Sequence, residues 1–329
     1  MAVCSEDSPL LPLLETLEDS TTSYTEQTDA YLSIANRLTG EEGKEFSALV
    51  CGQFPRLCKI FKEHIANQNS DLSNAALQAL GFCVFNNRIA SGLSATETEQ
   101  LLSALNCIAV KSTDKNTCTR ALWVISKQSF PSEEVGKSVP TILSTLEGVL
   151  NKDVQSLVIE YEALNVVIRL LEQAPAQMTQ EAVRWSKLVI PLVVHSAPKV
   201  RLRAATALEI GLPVLLQKHQ DVSSLTEQLM TSTLHRSGSF INSLLQLEEL
   251  GFRSGSPAVK KIAFIAWKSL IDNFASNPDI LCSSKRLKLL MQPLSSIHVR
   301  TEALALTKIE VWWYLLMRLG SQLSAHYEQ

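Results

Sequence analysis

Lys260, Lys261, Lys285, Arg286 and Lys288 are the residues of this sequence best suited to holding a partner. Cations clustered this closely neutralise phosphates and hold a polyanion by charge, without reading its sequence. Two further sets, Lys199, Arg201 and Arg203, then His298 and Arg300, recur at equivalent places in the repeated segments described below. Stacked repeats would line them along one edge as a positive ridge. Arg201 and Arg300 also stand where a basic residue pairs with an acid or carbonyl of the adjoining repeat, and that role suits them better. Arg120, Trp123 and Trp185 could stack on bases, but helix packing is the commoner use of an indole.

Catalytic chemistry finds little support. The sequence has no GxxxxGK[ST] phosphate loop, no GxGxxG after a strand and no GxSxG elbow. Gly251-Phe252-Arg253-Ser254-Gly255 resembles the elbow but places Ser one position late, and reads as a turn ending a helix. The six histidines are isolated, and no HExxH or Cys/His finger spacing occurs, so no metal or other cofactor is expected. Glu160 and Glu162 are two apart and cannot meet on a helix. An enzyme is not expected.

Helices must position these residues. Ala75, Ala76, Ala79, Leu80 and Cys83 share one face at period 3.6, as do Ala163, Val166, Val167, Leu170 and Leu171. A turn, an aliphatic residue, basic residues and an Ala-rich helix recur together. The clearest copies are Pro198–Ala204, Pro257–Ala263 and Ser296–Ala303; weaker ones precede Ala76, Ala121 and Ala163. The first packed Ala of each copy falls at 76, 121, 163, 204, 263 and 303, giving intervals of 45, 42, 41, 59 and 40. All but one lie in the window of roughly 40–47 residues for HEAT and armadillo arrays. The expected fold class is all-α, a HEAT/armadillo-like α-solenoid with a superhelical repeat array.

The interval of 59 is too long for one unit and too short for two. It contains Thr231–Ser239, a polar interruption between the helical stretches Leu225–Met230 and Phe240–Leu250. An inter-repeat loop is one reading; an internal deletion near 231–239 is the other. Residues 1–27 are acidic and rich in Ser and Thr, and are expected to be partly disordered, with a short helix around Leu10–Leu17. The HEAT-like repeats are expected over 28–329.

The 329 residues carry a net charge of -3, split as -8 over 1–50, 0 over 51–194 and +5 over 195–329. A chain basic throughout is excluded, and the +5 suits either a weak polyanion attraction or an ordinary solvated surface. Seven irregularly spaced cysteines without a CxxC fit reduced, buried thiols. The first 26 residues hold six acids and no Lys or Arg, unlike a secretory leader, and no apolar run is long enough to span a bilayer. A soluble intracellular protein with no membrane partner is expected.

Longer segments carry a resemblance. Leu10–Asp19 (LLPLLETLED), Ala75–Cys83 (AALQALGFC), Thr119–Lys127 (TRALWVISK), Glu181–Ser196 (EAVRWSKLVIPLVVHS), Phe240–Gly255 (FINSLLQLEELGFRSG), Lys260–Ala275 (KKIAFIAWKSLIDNFA) and Val311–Gly320 (VWWYLLMRLG) resemble the N-terminal region of the vertebrate Rap-interacting factor (Rif) family, collinearly and along nearly the whole chain. The family pattern has additional helical sequence where this chain passes from Met230 to His235, which favours the deletion, and it continues far beyond this length, so a fragment or short isoform is expected.

The resemblance implies a nuclear, chromosomal scaffold at telomeres, with protein partners at DNA breaks and telomeric chromatin. It implies restraint of end resection favouring end joining, replication timing through a type-one phosphatase, and telomere maintenance. Phosphatase docking is not expected from this chain: Lys199-Val200-Arg201-Leu202 has Leu where the docking motif needs Phe or Trp. Two alternatives stay open, a direct, weak DNA-binding module and a HEAT adaptor of cytoplasmic transport or assembly.

Overall fold

A computed structural model describes residues 8–41, 43–151, 156–218, 238–275 and 281–326, and these contain helices and no strand. They fall into two compact units divided between Val222 and Ser223.

The first unit is a double layer of helices. One layer stacks α2 (Tyr24–Thr39), α4 (Ser70–Phe85), α7 (Lys115–Lys127), α9 (Leu157–Gln173) and α12 (Pro198–Gln217), each against the next. The other runs from α1 (Leu11–Glu18) through α3 (Gly43–His64), α6 (Ala95–Lys111) and α8 (Ser132–Leu150) to α11 (Ala182–Val189), with short α5 (Asn87–Ala90) and α10 (Pro175–Gln180) at turns. Starts are written in the sequence. Ser23 with Glu26 and Ser94 with Glu97 form capping boxes, Asn69 accepts from the Asp71 and Leu72 amides, and Asp114 accepts from that of Thr117. Ala76, Ala121, Ala163 and Ala204 are all buried, and their small side chains let successive helices approach.

The second unit contains α13 (Gly238–Arg253), α14 (Pro257–Ala275), α15 (Ser284–Ser296) and α16 (Glu302–Leu319). α14 packs on α13 and α16, and α15 on α16, around a core that includes Phe264, Trp267, Ile271, Phe274 and Val311. The Trp267 indole N–H donates to the Leu290 carbonyl at 3.1 Å, so α15 runs back along α14.

The short helix expected around Leu10–Leu17 is present as α1, which buries Leu14 and Leu17, and α2 starts at the Ser23 cap, ahead of residue 28. The acids that suggested disorder, Glu15, Glu18, Asp19 and Glu26, sit on exposed positions of these elements. Ala303 is exposed, and the packed residues of that copy are Leu304 and Thr307. The interruption beginning at Thr231, with the proposed deletion and the stretch Leu225–Met230, lies outside the described residues up to Gly238, where α13 opens.

Candidate partner-binding surfaces

In the second unit several cations are already engaged. Arg318 Nη2 lies 2.5 Å from Asp272 Oδ1, and Tyr314 donates its hydroxyl to the same carboxylate at 2.6 Å. Lys268 stands over the Tyr314 ring at 4.6 Å, Lys308 donates to the Ile297 carbonyl at 2.8 Å, and Arg253 pairs with Glu249 at 2.6 Å. Lys260, Lys261, Lys285 and Lys288 have no such partner among the described residues, and all but half-buried Lys260 are exposed. Arg286 is half-buried, its guanidinium 5.2 Å from the Phe274 ring centre.

These five candidates form two patches. Lys260 and Lys261 lie in the first turn of α14; Lys285, Arg286 and Lys288 open α15, beside the far end of α14 where Phe274 sits. Fourteen residues of helix from Lys260 to Phe274 separate them by about 20 Å. Both stand at helix starts, where surplus backbone N–H groups add to the positive potential.

The basic residues of the first unit are used differently. Arg201 donates to the His195 and Ser196 carbonyls, both at 2.8 Å, bracing the turn before its own helix. Arg203 Nε meets Asn165 Oδ1 at 2.5 Å, and Lys199 stands 4.5 Å over the Tyr161 ring. Arg120 Nη1 donates to Gln78 Oε1 at 2.8 Å, and Arg169 donates twice to the Gln128 carbonyl. Each of these last contacts joins neighbouring repeats. The separations, 38 residues for Arg203–Asn165, 42 for Arg120–Gln78 and 41 for Arg169–Gln128, match the repeat period. Sequence reading missed this polar seam; polar pairs one repeat apart were the available signal. A groove of about 390 Å³ beside it is lined by Tyr24, Thr28, Asp71, Asn74, Gln78 and Arg120. Trp185 is fully buried and offers no face for a base, and Trp123 is half-buried with Phe82 packed edge-to-face against it.

Reactive chemistry is muted. Burial pushes the Cys58 thiol up to about 11 and the Cys83 thiol higher still, so both stay protonated and unreactive. Among the described residues no three His, Cys, Asp or Glu side chains gather as metal ligands, and no helix is long and apolar enough to cross a membrane.

Against known proteins, the family model described as "Rap1-interacting factor 1 N terminal" matches residues 19–238 and 229–329. The chain is 69% identical over 352 residues to telomere-associated protein RIF1 of Gallus gallus, covering 97% of this chain and 15% of that protein. It is 63% identical over 354 residues to the protein of the same name in Homo sapiens, covering 98% and 14% respectively. The chain therefore spans about one seventh of the curated relatives it matches. Among solved structures, the Rif1 N-terminal domain of Saccharomyces cerevisiae in complex with DNA superposes with a TM-score of 0.62 at 15% identity, over 93% of this chain and 33% of that one. At that identity the likeness is one of fold, an all-α solenoid.

Proposed function

This chain belongs to the Rap1-interacting factor 1 N-terminal family, and on that premise we propose that it is a non-catalytic scaffold associated with telomeric chromatin. The carrying observation is the 69% identity along 97% of the chain to a protein named as telomere-associated. The fold supports the reading, because stacked helix pairs present long surfaces to macromolecules. The scaffold works in the nucleus, on chromosomes. There it takes part in telomere maintenance, replication timing and the restraint of end resection at double-strand breaks, which favours end joining. These finer roles are those implied by the quoted segments. Phosphatase docking is left to other parts of longer family members, because Val200 of Lys199–Leu202 is buried in α12. Chromatin immunoprecipitation of the tagged chain in vertebrate cells should enrich telomeric repeats over bulk DNA; recovery at background would overturn the assignment.

A second reading, direct DNA contact, rests on the unpaired lysines of α14 and α15. Lys260, Lys261, Lys285, Arg286 and Lys288 would touch phosphates, with affinity falling as salt rises. Duplex binding by the purified chain that survives reversal of all five charges would remove it.

A further inference from the structure

In the first unit, the position two residues before a packed alanine meets the next helix of the same layer at Ala76 and Ala163. Asn74, two before Ala76, donates its Nδ2 to Asp114 at the start of α7. Tyr161, two before Ala163, is covered by Lys199 and Arg203 of α12, at 4.5 and 5.9 Å from its ring centre. Leu202 holds the same place before Ala204, yet it is 71% exposed. It begins a stripe. Leu202, Ala205, Leu212 and Leu216 recur at steps of 3, 7 and 4 residues on one side of α12, interrupted only by Glu209, and all are exposed. The opposite side of the same helix, Val200, Ala204, Ala207, Gly211 and Val214, is buried. α12 is thus built with two apolar faces, as a helix between two neighbours should be, and one is uncovered.

The relatives indicate what would cover it. Their alignments extend over 352 and 354 positions but take in only 97% and 98% of this chain's 329 residues, so about 32 aligned positions have no residue here. The two family-model matches overlap at residues 229–238, which places the gap between α12 and α13. The repeat arithmetic agrees: the anomalous interval of 59, lengthened by about 32, becomes about 91, or two intervals of about 45. About 32 residues are enough for one helix and its turns.

We propose that the Leu202/Leu212/Leu216 face of α12 is the docking seat for one amphipathic helix that longer relatives carry at this point and this chain lacks, and that the seat accepts this helix in trans. Its leucines would give up their exposed apolar surface to the incoming helix, the main source of affinity in such a contact.

The test uses the full chain and a synthetic peptide holding the residues of the Gallus gallus relative that align with none here. Fluorescence anisotropy should show saturable binding, with a rise in Tm on addition of peptide. L212E together with L216E should weaken binding by about tenfold or more while leaving the helical circular dichroism intact. If that variant misfolds, a chimera with the segment restored in the chain replaces it, and should melt higher and bind less apolar dye than the parent. Absence of peptide binding, or binding indifferent to the substitutions, would overturn the proposal. So would a chimera no more stable than the parent. A parent dimer dissolved by the same substitutions would also overturn it, by giving the seat to a second copy.

Discussion

A glycine inside a helix is about 1 kcal/mol worse than alanine, so Gly211 needs a reason. A Cβ there would lie 2.5 Å from Cη2 of Trp185 and 3.2 Å from Cδ1 of Leu171. The indole cannot retreat, because it is fully buried and its N–H is held by the Met178 carbonyl at 3.1 Å. Gly211→Ala should therefore lower stability by about 1–3 kcal/mol despite its better propensity. The drop would be read as a lower urea midpoint at constant slope; an unchanged midpoint would mean that the ring gives way. Glu248 is a different kind of residue-scale probe. Burial raises its carboxyl to about 7, so the folded chain keeps a proton that the unfolded chain releases near 4.5. Its stabilising contribution is complete below pH 4.5, declines as the pH rises to 7 and is flat above. His64 is lowered by burial and acts in the opposite sense over part of that range. The readout is accordingly the Tm of the parent minus that of Glu248→Gln, which should fall from pH 4.5 to 7 and then level; a pH-independent difference would contradict the assignment.

At the scale of elements, α11 is clamped to α8 by one side chain. Arg184 sets Nε and Nη2 on the two Glu147 oxygens at 2.6 and 2.7 Å, and reaches Ser144 Oγ at 2.6 Å and the Pro140 carbonyl at 3.1 Å. The guanidinium beside Glu147 holds that carboxyl below its ordinary value. Lysine keeps the charge but has no fork, so Arg184→Lys should cost about 1–2 kcal/mol in chemical denaturation. Arg184→Lys with Glu147→Gln should cost less than the two singly, because both break one contact; strict additivity would show that they do not act as a pair. Much at this scale was legible in the sequence. The spacing of Ala76, Ala121, Ala163 and Ala204 foretold the stacked layer, because close helix approach demands a small residue once per repeat. Ala303 misled by one position: a single residue turns the helical face by about 100 degrees, and Leu304 took the core side. The helix around Leu14 and Leu17 was legible, but the acid count overshadowed the Ser23–Glu26 box that opens α2. The cross-repeat partners of Arg203 and Arg120 were hinted at only by polar residues one repeat apart; which of them meet depends on side-chain geometry that periodicity does not encode. The five candidate cations were legible as two clusters of charge, but not their spacing, because only the antiparallel run of α15 along α14 sets them at opposite ends.

That separation decides how the second unit would meet a polyanion. About 20 Å is more than twice the screening length of about 8 Å at physiological salt, so the two patches contribute independently. Each phosphate contact adds about 0.9 to the slope of log affinity against log salt. Five contacts would give a slope near -4.5 on duplex DNA, a modest value suited to a chain whose net charge is -3. Reversal of Lys260 and Lys261 should reduce that slope by about 2, reversal of Lys285, Arg286 and Lys288 by about 3, and the combination should leave almost none. The increments should add, which distinguishes two docking points from one pooled charge. A patch whose reversal weakens binding without changing the slope would be acting through the fold of α14 or α15 instead of through phosphate. A slope untouched by either reversal would move DNA contact off this unit's lysines and leave the protein-docking surfaces of the repeats as the working part of the chain.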